Sequence, residues 1–471
     1  MSVDRNILFA LIFYNIRGMD MTLAEEPIEK LFPNKELKAM IIPLFLEQLL
    51  VMCVGMADTI VVSHVSEAAV SGVSLVNQFN TIFIYLFTAL SSGGAIIISQ
   101  YIGRKDREQG GKSASQLLLF STIFSIVIAG LVLLGNKSLM SLLFGKVEES
   151  VMQACLIYLA ISAFSYPALA IYNSGAAIYR SIGQTKATMY ISIGSNVINV
   201  IGNIVGVFVL HAGVAGVAYP SLIARVFSAV VITILCFQKK NDVFYEPKWI
   251  FHWDGMLLKK ILAVAIPNGI ENGVFQLVKV ALSSIVALFG TYEIAANGVA
   301  QSIWSMAALA GVSMGPVFIT VIGQCMGNRN IEAADYYFKK LMKLTLQMSC
   351  IWNLLILCLT PLFLNFYALE TKTKTLVITL VFIHNIFNGI AFPFSGALGN
   401  GLRAAGDVKY TMVISIMTTV FVRLLLSYVL GIICNMGVIG ISIAMVADWL
   451  IRAVIFLWRQ RSGEWKKFQV I

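Results

Sequence analysis

Five polar side chains between residues 268 and 279 recur at spacings of three and four residues, which places them on one face of a helix. A carboxylate on such a face can bind a cation or exchange a proton when it lines a hydrophilic cavity. We predict that Glu271 has this role and that its neighbours contact a substrate. The alternative is a polar seam satisfied by adjacent helices. The stripe comprises Asn268, Glu271, Asn272, Gln276 and Lys279.

Two acidic residues and a row of amides form a second candidate group. Glu47 and Asp58 are eleven residues apart, which is ~20° around a helix and ~16 Å along it, so they share a face at different depths. Asn196, Asn199 and Asn203 share one face of a later helix. Those amides can bind Asp58 or a cation, or can simply join two helices. We predict ion coupling at Glu47, Asp58, Asn199 and Asn203; the alternative for Asp58 is a carboxylate that caps a helix end.

The composition indicates the setting for these residues. Of 471 residues, 58% are hydrophobic and 12% are charged, about half the ~25% usual for soluble domains. So few charges cannot cover the surfaces of soluble domains of this total length, which excludes a soluble enzyme and a receptor with a globular head. The chain is therefore predicted to be an all-α polytopic membrane protein.

Apolar runs of about 18 or more residues predict twelve membrane-spanning helices. Charges inside these spans must face a polar or wet interior. Arg225, Arg423 and the Asp448/Arg452 pair, four residues apart, are interpreted as structural or as reaching to the interface. The predicted spans are 39–63, 70–102, 114–135, 151–176, 187–210, 213–237, 258–289, 294–326, 341–366, 375–398, 410–433 and 438–459.

The net charge of +10 follows from an uneven distribution of the 34 Lys and Arg residues. The N-terminal segment, the tail and every second connection hold 26 of them, whereas the opposite connections hold four. The positive-inside rule then predicts that both termini are cytoplasmic. Attraction to anionic lipid is a by-product, and no nucleic-acid partner is expected.

The two halves of the chain repeat with a spacing of about 224 residues. Aligning Pro43 with Pro267 pairs IPLFLEQ with IPNGIEN, and SQYIGRKDRE then falls on GQCMGNRNIE. YRSIGQTKATM matches LRAAGDVKYTM after a shift of one residue, and GVAG matches GVIG at 224 again. Each half holds six predicted helices, so the halves are predicted to be parallel lobes. In transporters so built, substrate binds near the midplane and the lobes rock to alternate access.

Signatures of soluble enzyme chemistry are missing from the sequence. There is no GxxxxGK[ST] motif for ATP and no HExxH motif, so uphill transport must be driven by an ion gradient. We expect no enzymatic activity and no cofactor beyond a coupling H⁺ or Na⁺, with Na⁺ held at Asp58 or Glu271. At the N-terminus, Ile7 to Tyr14 is apolar but too short to span; either it lies at the interface or translation starts at Met19 or Met21.

These residues together resemble the multidrug and toxic compound extrusion (MATE) family from about Leu31 to Trp458. The resemblance rests on the repeat, on IPLFLEQLLVMCVGMADTIVVSHVSEAAVSGVSLVNQ and IPNGIENGVFQL, and on the loops YIGRKDRE and CMGNRNIE. It implies two six-helix bundles and a proton- or sodium-coupled antiporter that expels cationic amphipathic compounds. Asp58 matches the family's helix-1 aspartate, and Glu271 an acidic position of the second lobe. The family often has Asn followed by Asp where this chain has Asn199 and Asn203, which leaves the ion open.

The predicted function is export of cationic or amphipathic drugs in exchange for H⁺ or Na⁺ by a monomer in the plasma (inner) membrane. The alternative is a flippase of lipid-linked oligosaccharide precursors, for which a more cationic central cavity is expected. The predicted organisation is a cytoplasmic segment (1–38), an N-lobe (39–237), a cytoplasmic linker (238–257), a C-lobe (258–459) and a cytoplasmic tail (460–471).

Overall fold

The structure, a computed structural model, describes residues 31–145, 147–365, 367, 369–468, 470 and 471. The short apolar segment and the two candidate start sites predicted near the N-terminus lie outside these residues. The first half of the chain forms α1 (Asn34–Ser63), α2 (Glu67–Gly103), α3 (Arg107–Phe144), α4 (Glu149–Phe164), α5 (Tyr166–Ser181), α6 (Thr185–Ile204), a π-helical turn (Val205–Val209), α7 (Ala215–Cys236) and the short α8 (Pro247–Ile250).

The second half follows the same order of long helices with more interruptions. Its elements are α9 (Gly255–Val286), α10 (Thr291–Ala307), α11 (Leu309–Gly327), α12 (Ile331–Leu364), α13 (Thr371–Ile390), α14 (Phe392–Ser395), α15 (Ala397–Ala405), α16 (Val408–Met417), a π-helical segment (Thr418–Leu424), α17 (Leu425–Tyr428), a second π-helical turn (Val429–Ile433), α18 (Gly437–Arg461) and a 3₁₀ turn (Glu464–Lys467).

The prediction of an all-α membrane protein is confirmed. Within the described residues, eleven helices are long and apolar enough to cross a membrane, and α4 with α5 makes a twelfth if the bent pair is one span. That pair bends by 44° at Ser165, and Pro167 lies in the first turn of α5, where it has no backbone N–H to continue the hydrogen-bond ladder of α4. The predicted spans 294–326 and 375–398 are each divided, at Ala308 and after Ile390.

The backbone itself repeats with the predicted spacing of 224. Lys105 and Arg329 both have positive φ, as do His211 and Asn435, and each pair is 224 residues apart. L-residues other than Gly rarely adopt this conformation, so its recurrence marks equivalent turns. The helices after the first of these turns begin alike: Asp106 accepts a hydrogen bond from the Gln109 amide, and its equivalent Asn330 accepts one from Ala333.

The π-helical segments account for the one-residue shift in the repeat. The turns Val205–Val209 and Val429–Ile433 are again 224 apart, but the left-handed glycines Gly183 and Gly406 are 223 apart. Between them the second half contains the π-helical segment Thr418–Leu424, whereas the corresponding part of α6 is α-helical. A π-helical turn bonds residue i to i+5 and so takes up an additional residue without breaking the helix.

The chain divides into two compact units. The first unit contains residues 34–281 and 408–416, and the second contains 282–407 and 417–468. In the first unit, Val76, Cys155 and Leu159 are fully buried in a core shared by α2, α4 and their neighbours. In the second unit, Ala296 and Val377 are fully buried in a core built on α10, α12 and α13.

The connection after α7, which lies in the predicted linker 238–257, packs on the first unit. Arg107 donates hydrogen bonds to the carbonyls of Lys239 and Asn241, at 2.6 and 2.7 Å. Gln116 donates to the Trp249 carbonyl at 2.9 Å. Tyr245 is buried in the same layer, and burial raises the pKa of its hydroxyl well above its ordinary value. This part of the linker is therefore bound to α3 along much of its length.

A contact between two glycines supports the packing of α7 against the π-helical turn before it. A Cβ at Gly206 would overlap the carbonyl oxygen of Gly216, whereas a Cβ at Gly130 on α3 would meet nothing within 4 Å. We predict that Gly206→Ala destabilises the protein by about 1–3 kcal/mol through overpacking, and that Gly130→Ala has little effect or stabilises it slightly. Thermal unfolding of the purified variants measures both. Equal melting temperatures for the two variants would contradict the predicted contact.

Candidate functional site

A cavity of about 360 Å³ lies inside the first unit, within the range of small-molecule sites. Its wall is formed by α1, α4, α5, α6 and α7, with one contribution from α2. Serine and tyrosine hydroxyls supply much of the polar surface. The charged and amide side chains on the wall are Glu47, Asp58, Asn77, Asn196, Asn199 and Arg225. Glu47 and Asp58 thus share a face of α1, as their spacing predicted.

The structure brings Asp58 together with the predicted amides. Asn203, which is fully buried on α6, donates a hydrogen bond of 2.6 Å from Nδ2 to Asp58 Oδ1. The same nitrogen lies 3.0 Å from Asn199 Oδ1, and Asn199 Nδ2 donates to Ser221 Oγ at 2.9 Å. Asn199 and Asn203 meet because they lie one turn apart on α6. A chain of hydrogen bonds therefore runs from the half-buried carboxylate across α6 to α7.

Glu47 has a different environment, which sequence reasoning did not predict. Its carboxylate forms an ion pair with Arg180 of α5 at 2.7 Å. It also accepts hydrogen bonds from Thr188 at 2.9 Å and from Tyr172 at 3.4 Å. Only 4% of Glu47 is exposed. Its charge is therefore neutralised within the first unit, and its position on the cavity wall is that of a paired acid.

Arg225 is the site residue that sequence reasoning interpreted as structural. It lies on α7, lines the cavity and donates a 2.6 Å hydrogen bond to Ser165 Oγ at the bend between α4 and α5. It thus shares the cavity wall with Asp58. The available signal was a cation inside a span, which by default marks a functional position. The structural interpretation did not use this signal, although residue 225 is the midpoint of the predicted span 213–237.

The stripe predicted on the seventh span lies on α9. Asn272 donates from Nδ2 to the Asn268 carbonyl at 2.9 Å, one turn earlier on the helix. Glu271 and Gln276 are partly buried, and Lys279 is exposed. The described residues that line the cavity include none of these five. Their predicted roles in ion and substrate binding stay predictions.

The second unit contains a buried charge cluster. Asp448, fully buried on α18, is 2.7 Å from Arg452 and 2.8 Å from Arg423 through its two carboxylate oxygens. The π-helical segment Thr418–Leu424 supplies Arg423 and also Thr419, whose hydroxyl accepts from Arg452 at 2.8 Å. The predicted Asp448/Arg452 pair is confirmed, and both oxygens of this carboxylate are engaged.

Comparison with known proteins identifies the family. The MatE family model matches residues 43–205 and again residues 267–429, which together exceed half of the chain. The chain belongs to the MatE family. The two matches begin at Pro43 and Pro267, so the spacing of 224 predicted from sequence is the spacing of the family's own repeat. Membership makes the protein a multi-pass membrane transporter of the multidrug efflux (MATE) family with two repeated lobes.

Similar proteins extend over nearly the whole chain. An uncharacterized transporter, YisQ, of Bacillus subtilis is 27% identical over 94% of this chain and 97% of its own. A probable multidrug resistance protein, NorM, of Thermotoga maritima is 24% identical over 93% and 94%. A solved outward-facing multidrug resistance MATE family transporter of the MOP superfamily superposes with a TM-score of 0.86 at 21% identity, covering 92% of this chain and 97% of that one.

The ion pair of Glu47 predicts an asymmetric response to mutation. Arg180→Gln leaves a buried carboxylate without its counter-charge, so we expect a loss of about 3–5 kcal/mol of stability. The double variant Glu47→Gln/Arg180→Gln removes both charges and should regain most of that loss. Thermal unfolding measures the three proteins, with Lys186→Gln as the control because Lys186 is exposed on α6. A double variant no more stable than Arg180→Gln would contradict the pairing.

Proposed function

We propose that the protein is a secondary active antiporter that exports cationic or amphipathic drugs in exchange for H⁺ or Na⁺ by alternating access. Asp58, supported by Asn199 and Asn203, binds the coupling ion in the first repeat, and Glu271 supplies the acidic position of the second. The observation that carries the proposal is the 2.6 Å bond between Asn203 and Asp58 on the wall of the cavity. A half-buried carboxylate beside amides, with no ion pair of its own among the described residues, can bind and release a proton or a cation.

The residues around Asp58 can bind either ion, and the two ions need different ligands. A proton needs only the carboxylate oxygen that Asn203 does not occupy. A sodium ion needs several oxygen ligands, as hard cations do, and these would come from Asp58, Asn199, Ser221 and the Asn203 amide. Asn203 Oδ1 is buried and accepts no hydrogen bond among the described residues, so turning this amide would present an oxygen to a cation. Sodium binding therefore depends on Asn203 far more than proton binding does.

The substrate side of the proposal rests on the cavity and on α9. The wall beside Asp58 combines hydroxyls and amides with tyrosine rings, a surface typical of sites for amphipathic ligands. Asn268, Asn272, Gln276 and Lys279 are proposed as further contacts along α9. The charged side chains on the cavity wall are two acids and one arginine, so it lacks the cationic excess that a flippase for lipid-linked oligosaccharides calls for.

Efflux from proteoliposomes under one imposed gradient at a time tests the function. We expect a fluorescent cation to leave wild-type vesicles under either ΔpH or ΔNa⁺, and Asp58→Asn to reduce that efflux at least tenfold. Asn203→Leu should reduce efflux to a similar extent if Na⁺ is the coupling ion and retain most of it if H⁺ is. Lys186→Gln serves as the matched control. Undiminished efflux by Asp58→Asn would overturn the assignment of the ion site.

We further propose that the protein is a monomer in the plasma (inner) membrane. Both termini are proposed to be cytoplasmic, because 26 of the 34 Lys and Arg residues lie in the predicted terminal segments and alternate connections. A green fluorescent protein fused after Ile471 should fluoresce, since it folds in the cytoplasm. Alkaline phosphatase inserted after Gly145, in an opposite connection, should be active because it requires export. The reverse pattern of reporter activity would show that the orientation is wrong.

A further inference from the structure

The cavity of the first unit carries two opposite charges that do not neutralise each other. Asp58 is held by Asn203, and Arg225 is held by Ser165. Among the described residues, neither forms an ion pair, although both line the cavity. Glu47, the other charged residue on the wall, is paired with Arg180. The wall therefore presents one negative and one positive group, and its formal charge is zero.

We propose that Arg225 determines specificity and that this bipolar cavity prefers zwitterionic amphipathic substrates to simple cations. The proposal refines the substrate class of the antiporter proposed above and rests on that function for its role in export. A cation can satisfy Asp58 but is repelled by Arg225. A simple anion can pair with Arg225 but is repelled by Asp58. A molecule with both groups compensates both charges at once, and a bound carboxylate gains charge-assisted hydrogen bonds from the guanidinium.

The same geometry preserves competition between substrate and ion. The ammonium group of a zwitterion and the coupling ion both require the Asp58 carboxylate, so they exclude each other there. When the ion neutralises Asp58, the charge of Arg225 remains, so the cavity has a formal charge of +1. This charge disfavours any cationic group. Ion binding thus releases the ammonium end of the substrate. Arg225 sets which molecules bind, while Asp58 carries the exchange.

Binding of a matched pair of ligands tests the proposal. Ciprofloxacin is a zwitterion at neutral pH, and its ethyl ester keeps the amine but lacks the carboxylate. We expect purified wild-type protein to bind ciprofloxacin about tenfold more tightly than the ester, as measured by the ligands' own fluorescence polarisation. In Arg225→Gln the ratio should fall to about one, with the ester bound more tightly than by wild type. Arg225→Lys should retain a preference for the zwitterion, and Lys186→Gln should keep the wild-type ratio.

Two results would overturn the proposal. One is an unchanged ratio in Arg225→Gln; the other is wild-type protein that binds the ester as tightly as ciprofloxacin, a measurement that needs no variant to fold. Binding is measured without a gradient, so it separates this proposal from the proposed function. Ion-driven efflux with a ratio independent of Arg225 overturns the specificity alone. An Arg225-dependent ratio without ion-driven efflux overturns the antiporter and leaves the specificity standing.

Discussion

The membrane interior supplies no water to charged groups, so every charge inside a span needs a partner or a wet wall. The protein meets this constraint in two ways. Glu47 and Asp448 form ion pairs with arginines at distances of 2.7 to 2.8 Å. Asp58 instead faces a cavity, with an amide as its closest partner. An acid paired with an arginine joins two helices, whereas the Asp58 carboxylate is held by an amide and lines a cavity. This difference separates structural charges from candidate functional ones.

Much of the fold follows from the sequence because the membrane simplifies the problem. Span length, the distribution of cations and the repeat of 224 are one-dimensional features, and the predicted ends of most spans fall within several residues of the helices. The break at Ala308 was not predicted, because the run around it stays apolar. The break after Ile390 comes just before Pro393, a residue type at which a membrane helix can bend. The shift of the repeat by one residue was visible in sequence. Its cause is the π-helical segment Thr418–Leu424, whose backbone hydrogen-bond pattern cannot be read from hydropathy.

The candidate site was predictable only in part, for a related reason. Periodicity places Asp58, Asn199 and Asn203 on helix faces, and those faces do meet. Periodicity does not say which residue lies across the interface. Arg180 was therefore counted with the cytoplasmic cations, although its guanidinium reaches Glu47. Arg225 was missed because its surroundings depend on the bend at Ser165, which turns α5 relative to α4 and presents the serine hydroxyl.

Equivalent positions in the two repeats carry different residue types. At the spacing of 224, Asp58 corresponds to Leu282 and Asn203 to Ser427, so the second repeat lacks the acid of the first. Arg423 lies within one residue of the equivalent of Asn199, and its partner Asp448 corresponds to Ala224, which lines the cavity of the first unit. One repeat thus has an acid and amides around a cavity where the other has a closed cluster of Asp448, Arg423 and Arg452. The duplicated fold therefore retains a half-buried acid beside a cavity in the first repeat, and at the equivalent place in the second repeat it has an acid whose charge is compensated by two arginines.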